Sequence, residues 1–236
     1  MTSRLFFTVV FLFVAQSIVV SVAAAQNGKY DSLLAAIPKE KADSVYALVT
    51  KGEEYQSRGE YDSAISANFD ITKILPNFPP AFTTMAGLYG VKQDYRSEIV
   101  WADKAIAADS SYLNAYINLG NAYASLRSYD TATTIYMVAS LVDPRSAVPM
   151  YSLGVLQGEQ GQADAALRNY LQAIRIDSTF EAAYFNAGMI YANQKKFTQA
   201  KKMLMDALKF DPYDYDAGRA IKDIEKDENE ADSKKK

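Results

Sequence analysis

Residues 113–146 read LNAYINLGNAYASLRSYDTATTIYMVASLVDPRS. Two helical patterns lie inside this one stretch. Tyr116, Leu119, Ala122 and Tyr123 recur at i, i+3, i+6 and i+7, and Ala132, Ile135, Tyr136, Ala139 and Val142 form a second set. Such spacing gathers apolar side chains on one face of an α-helix. Leu126, Arg127 and Ser128 join the two halves. Pro144 ends the second helix, because proline has no N–H for the hydrogen-bond ladder and restricts the residue before it.

Working outward, the same pattern returns every 34 residues. Gly52, Gly120, Gly154 and Gly188 fall on one lattice, with Ala86 in the missing place. Ala64, Ala132, Ala166 and Ala200 make a second, Ala105, Ala139, Ala173 and Ala207 a third, and Pro76, Pro144 and Pro212 a fourth. Gly59 and Gly161 mark the turn between helices in two of the units. A fixed period of this length predicts a repeat protein, in which one unit cannot bury its apolar face alone and depends on its neighbours. The units run 45–78, 79–112, 113–146, 147–180 and 181–214.

These residues resemble the tetratricopeptide repeat family, whose unit is a helix–turn–helix of this length. The resemblance covers 45–214 in constant register. It implies an all-α fold, a right-handed α-solenoid of five tandem helix–turn–helix repeats, and a role in protein–protein interaction. The small residues on the lattices let neighbouring helices approach, and Tyr116, Leu119, Tyr123 and Tyr136 fill the space around those contacts.

The ends read differently. Arg4 precedes an apolar run from Leu5 to Val22, followed by Ala23, Ala24 and Ala25, so 1–25 is expected to be a secretory signal peptide cleaved after Ala25. An uncleaved membrane anchor is the alternative, and it is the only membrane contact expected. Either way the repeats face the far side of the membrane, periplasmic or secreted, since Arg4 stays inside. No Cys follows the apolar run, which argues against a bacterial lipoprotein. Residues 26–44 form a helical lead-in, with Asp31 capping a short helix from Ser32 to Ile37 and the next helix starting as early as Lys39. Downstream, 215–226 reads as a capping helix and 227–236 as a disordered polar tail.

Composition narrows the chemistry. The chain has no Cys and no His, which removes thiolate and imidazole ligands, nucleophiles and bases. A net charge of −3 argues against nucleic acid, whose phosphates demand a basic surface. No phosphate-cradling glycine loop or nucleophile elbow occurs. Glu53, Glu54 and Glu60 read as solvated surface, and Asp211 to Asp216 lacks the spaced oxygen ligands of a calcium loop. The chain is therefore expected to be no enzyme and to need no cofactor or metal.

What remains is a binding surface. The resemblance places the first helix of each repeat along an inner groove, which puts Ile117, Tyr151 and Phe185 on a ladder, with Asn121, Val155 and Met189 beside it and Asn114 and Thr83 facing the same way. The ladder places hold Val49, Thr83, Ile117, Tyr151 and Phe185 with no Lys or Arg, so an acidic C-terminal tail is not the expected ligand. The expected function is a scaffold or adaptor of the cell envelope that binds an apolar or amphipathic segment of a partner protein. Self-association into a homo-oligomer is the alternative, and a glycan-binding or hydrolytic protein a more distant one. Repeat two departs from the pattern: Glu98 replaces Ala, Ala102 replaces a bulky residue, and Gly87 and Gly90 interrupt its first helix. It is expected to be the loosest joint, or else Glu98 extends to water at a splayed contact.

Overall fold

A computed structural model describes residues 33–233. The predicted signal segment 1–25, together with Asp31 and Ser32, lies outside them, as does the tail from 234. Among the described residues the chain is entirely helical, in the order α1 (Lys39–Ser57), α2 (Tyr61–Ile74), α3 (Pro79–Val91), α4 (Tyr95–Ala108), α5 (Leu113–Ser125), α6 (Tyr129–Val142), α7 (Val148–Glu159), α8 (Ala163–Ile176), α9 (Glu181–Asn193), α10 (Phe197–Phe210) and α11 (Tyr215–Ser233). None of these helices is both long and apolar enough to cross a membrane.

The chain divides into two compact units between Ile135 and Tyr136. In the first, α1 packs on α2 and α3 on α2, α4 and α5. Its core gathers Val45, Ile71, Phe78, Phe82, Met85 and Tyr112, with Trp101 partly buried against them. In the second, α7 packs on α8, α9 on α8, α10 and α11, and α10 on α11. There Phe185, Leu204, Ala207, Ala217 and Ile224 form the core beneath α11. The all-α, tandem-hairpin reading of the sequence stands.

Helix boundaries follow from local chemistry. Gly59, Gln93, Arg127, Gly161 and Lys195 all take positive φ, one per turn at the same place in each repeat. At the first such non-glycine turn the Asp94 N–H donates to the Tyr89 carbonyl and the Gln93 N–H to Gly90, a Schellman closure that satisfies carbonyls left open at the helix end. The second helices stop at Ile74, Val142 and Phe210, two residues before Pro76, Pro144 and Pro212. Yet α4 and α8 stop in the same register with no proline. Four of the five share an aspartate, with Leu75 in its place after α2: the carboxylates of Asp109, Asp143, Asp177 and Asp211 accept the backbone N–H two residues on, at 2.9, 3.0, 2.8 and 3.0 Å.

The hairpins close where one residue makes room for another. A Cβ on Gly154 would lie 2.6 Å from the Tyr170 ring, and one on Gly188 would lie 2.8 Å from Leu204 Cγ. Repeat two reaches the same fit differently. Ala86 and Ala102 are both fully buried where the others set glycine against a bulky residue. One turn toward the loop, Gly90 makes room instead, and both Glu98 carboxyl oxygens lie 2.8 Å from its missing Cβ. Glu98 is thus buried at 4% exposure, which corrects the expectation that it reaches water. Substitutions that looked like separate defects compensate one another in space.

The C-terminal expectation also needs correction. Helix α11 passes Lys226 and runs to Ser233. Glu228 pairs with Lys201 on α10, so a charge that suggests a solvated tail holds the helix down.

The glycine positions are testable by thermal or urea melts. Gly154→Ala should destabilise by roughly 1–3 kcal/mol through overpacking. Gly52→Ala, whose Cβ would meet Asn68 at an ordinary 3.4 Å, should be neutral or slightly stabilising. Equal losses at both sites would contradict the account of the crossings.

Candidate functional site

The first helices of the repeats carry the predicted groove residues, and the structure separates these into two sets. Thr83, Ile117, Tyr151 and Phe185 are buried, at 8%, 4%, 1% and 9% exposure. Asn114, Asn121, Val155 and Met189 are half-buried. The expectation of an open apolar ladder is therefore corrected for the first set. The physical reason is neighbour number: α3 touches α2, α4 and α5, and α9 touches α8, α10 and α11, so a side chain leaving one helix enters the next.

In the first unit, Thr83 Oγ1 donates to the Pro79 carbonyl at 2.9 Å, and the Thr83 carbonyl accepts from Asn118 Nδ2 at 3.0 Å. In the second, the Tyr151 ring packs against Tyr170 and Phe180, with centroids 5.6 and 5.0 Å away. Its hydroxyl oxygen accepts from Asn186 Nδ2 at 3.0 Å, and burial pushes the hydroxyl pKa up. Asn118 and Asn186 are thus clasps between successive first helices. Sequence reasoning passed over them, although Thr84, Asn118, Ser152 and Asn186 form a polar row at the repeat period among apolar neighbours. A buried amide that finds its partner adds geometric specificity to packing that is otherwise non-directional.

Of the predicted residues, Val155 on α7 and Met189 on α9, one repeat apart, stay half-buried on the second unit. Gly158 and Ala192, also half-buried, follow them by one helical turn. Met189 rests against the Phe185–Leu204 cluster, so a rigid floor lies under a polarizable side chain. On the first unit the corresponding positions are Gly87 and Asn121.

Among the described residues no set of three or more carboxylates could hold a metal ion. The acidic corner at Glu181, Asp211 and Asp214 is a turn: Asp214 accepts the N–H groups of Asp216 and Ala217 at the start of α11. Glu181 is raised to about 7 there, by burial first and then by the Asp214 charge and a hydrogen bond with that carboxylate. Glu98 is raised to about 8 by burial alone.

A family model described as tetratricopeptide repeat matches residues 113–145 and 181–214, and one described as TPR repeat matches 158–195. The chain carries tetratricopeptide repeats. It is 28% identical over 177 residues to tetratricopeptide repeat protein 6 of Homo sapiens, covering 70% of this chain and 32% of the relative. The chain therefore spans about a third of that relative's length. Among solved structures it is similar to a thermophilic tetratricopeptide repeat protein of Thermus thermophilus, with a TM-score of 0.64 and 20% identity over 76% of this chain and 98% of the other. It is also similar to YrrB, a tetratricopeptide repeat protein with an unusual peptide-binding site, with a TM-score of 0.50 and 20% identity over 74% and 90% of the two chains. At such identities the likeness establishes the shared fold. Tetratricopeptide repeats as a class mediate protein–protein interaction and are generally non-catalytic scaffolds.

The buried acid in repeat two makes stability depend on pH. Folded, Glu98 keeps its proton up to about pH 8, whereas the ordinary carboxyl releases it near 4.5. Its neutral form favours the folded chain fully below pH 4.5, and that contribution is lost as pH rises through 8. The loss amounts to a few kcal/mol, at about 1.4 kcal/mol per pH unit. Urea midpoints should fall across this window, and Glu98→Gln should flatten the slope to the smaller one left by Glu181. An unchanged slope in the variant would refute the assignment.

Proposed function

We propose that this tetratricopeptide repeat chain is an exported interaction scaffold of the cell envelope that holds an apolar or amphipathic segment of a partner protein. The observation that carries this reading is the pair Val155 and Met189, left half-buried at the same repeat position, with Met189 resting on the Phe185–Leu204 cluster. Export rests on the Arg4-led apolar run and the Ala23–Ala25 stretch.

The buried residues are the wrong ones to mutate, because charge at Tyr151 or Phe185 would unfold the second unit. Val155→Glu combined with Met189→Glu should instead leave helicity and melting nearly unchanged. Using residues 26–236 as bait in envelope extract, the double variant should lose the proteins that the parent retains. Identical capture by both would remove this surface from consideration.

Self-association is a second reading, favoured by α6. Met137, Val138 and Leu141 are exposed at 56%, 39% and 78% on its outer side. The places of Val138 and Leu141 carry Asp70 and Lys73 on α2, Lys104 on α4, Arg175 on α8, and Asp206 and Lys209 on α10, while that of Met137 holds Phe69, Asp103, Leu171 and Met205. Contiguous exposed apolar surface of this kind marks an interaction face. If it joins two copies, light scattering should give a dimer that Met137→Lys with Leu141→Lys converts to monomer; a monomeric parent would end this reading.

A further inference from the structure

Within the second unit, α8 and α10 turn the same short pattern outward. Arg168, Leu171 and Arg175 on α8 stand one repeat before Lys202, Met205 and Lys209 on α10. Each set places an apolar residue between two cations at i, i+3 and i+7, a spacing that shares one helix face. The four cations are exposed, Met205 is 58% exposed and Leu171 is half-buried. Packing does not call for these charges. On α6 the same places hold Thr134, Met137 and Leu141.

The cations are short of carboxylates. Among the described residues no ion pair reaches Arg168, Arg175 or Lys202. Arg175 donates to the neutral Gln172 amide oxygen, at 3.0 and 2.5 Å, which leaves its charge unmatched. Asp164, one turn before Arg168, accepts instead from Gln194 Nε2 at 2.8 Å. Lys209 is paired with Asp206. On a chain of net charge −3 this face is a local excess of positive charge.

The α10 side also has a hollow and a precedent for what enters it. A shallow cleft of about 420 Å³ is lined by Thr198, Lys201, Lys202, Met205, Asp206 and Lys209. Lys201 stands where Ile65, Ile99, Thr133 and Leu167 stand in the other repeats. Its ammonium meets the Glu228 carboxylate of α11 at 2.5 Å. A carboxylate carried on a helix thus already engages one cation of the cleft, while Lys202 beside it has none.

We propose that the outward face of α8 and α10 docks an acidic amphipathic helix of a partner protein, with carboxylates seven residues apart on either side of an apolar residue. The cation spacing sets that pattern, since seven residues of helix rise by about 10 Å. Met205 offers an adaptable apolar contact between the charges, and the exposed cations speed encounter with an acidic partner. The spacing and the Glu228 contact favour a helix over an anionic lipid surface, which would offer charge without register. This face belongs to second helices, so it does not rest on the Val155–Met189 surface of the first helices.

The test uses two acetylated, amidated, alanine-rich helical peptides with a central leucine. They differ only in carrying glutamate or glutamine at the two flanking places. Titrated into residues 26–236 at low salt, the glutamate peptide should bind about tenfold more tightly, and high salt should shrink the difference. Lys202→Gln combined with Arg175→Gln should leave the melting temperature unchanged and abolish the preference. Glu228→Gln, which releases Lys201 into the same cleft, should tighten the glutamate peptide about threefold. Unchanged or weaker affinity in that variant overturns the part given to Lys201. Equal binding of the two peptides, binding of neither, or a preference that survives the double substitution overturns the site. Phosphatidylglycerol vesicles that capture the parent when neither peptide binds would assign the face to lipid instead. Each of these results leaves the Val155–Met189 reading standing, so the two fail separately.

Discussion

Two helices of a hairpin can approach closely only where one side chain vanishes so that another can enter, and much else in this chain follows from that constraint. Gly154 receives Tyr170 and Gly188 receives Leu204. Alanine rows at Ala166, Ala173, Ala200 and Ala207 keep the flanking contacts short, and all four are fully buried. Because interiors are packed to crystal-like density, the void and its filler must appear together. Repeat two shows the rule by departing from it. Its glycine moves one turn forward on α3 and its bulky residue one turn back on α4, which in an antiparallel hairpin is a single displacement of the same contact. Packing is preserved, but the filler is now an acid.

That exchange links packing to acidity. Tyrosine and leucine as fillers contribute apolar burial. A carboxyl contributes far less and favours the fold only when protonated or paired. The first helices show the opposite treatment of polar groups: Asn118 and Asn186 meet the Thr83 carbonyl and Tyr151 hydroxyl of the preceding repeat and are satisfied. Within each unit, polarity that is answered serves assembly. Glu98 is instead packed against Gly90 at 4% exposure, a polar group held by shape alone.

Much of this was legible beforehand. The repeat boundaries read at 79, 113 and 181 coincide with the first residues of α3, α5 and α9. The turn residues and helix ends also fell where glycine, proline and the Leu126–Ser128 stretch pointed. These are local effects, set by backbone conformation and hydrogen-bond geometry within a few residues, and a linear pattern records them. The aspartates that end α4 and α8 were in the same lattice, but their role emerges only when the N–H two residues on is seen to be in need of an acceptor.

The amino-acid order alone therefore determined the helical hairpins, their period and their family. The tertiary structure decided which side chains are covered. Periodicity reports that a helix has an apolar face, not how many neighbours surround it, so Ile117, Tyr151 and Phe185 read as an open ladder although they are buried. It likewise could not show that Gly90 and Glu98 answer each other, or that Lys201 holds Glu228 and carries α11 on to Ser233. Contacts between distant residues depend on volume and charge meeting in space, and only the folded arrangement brings them together.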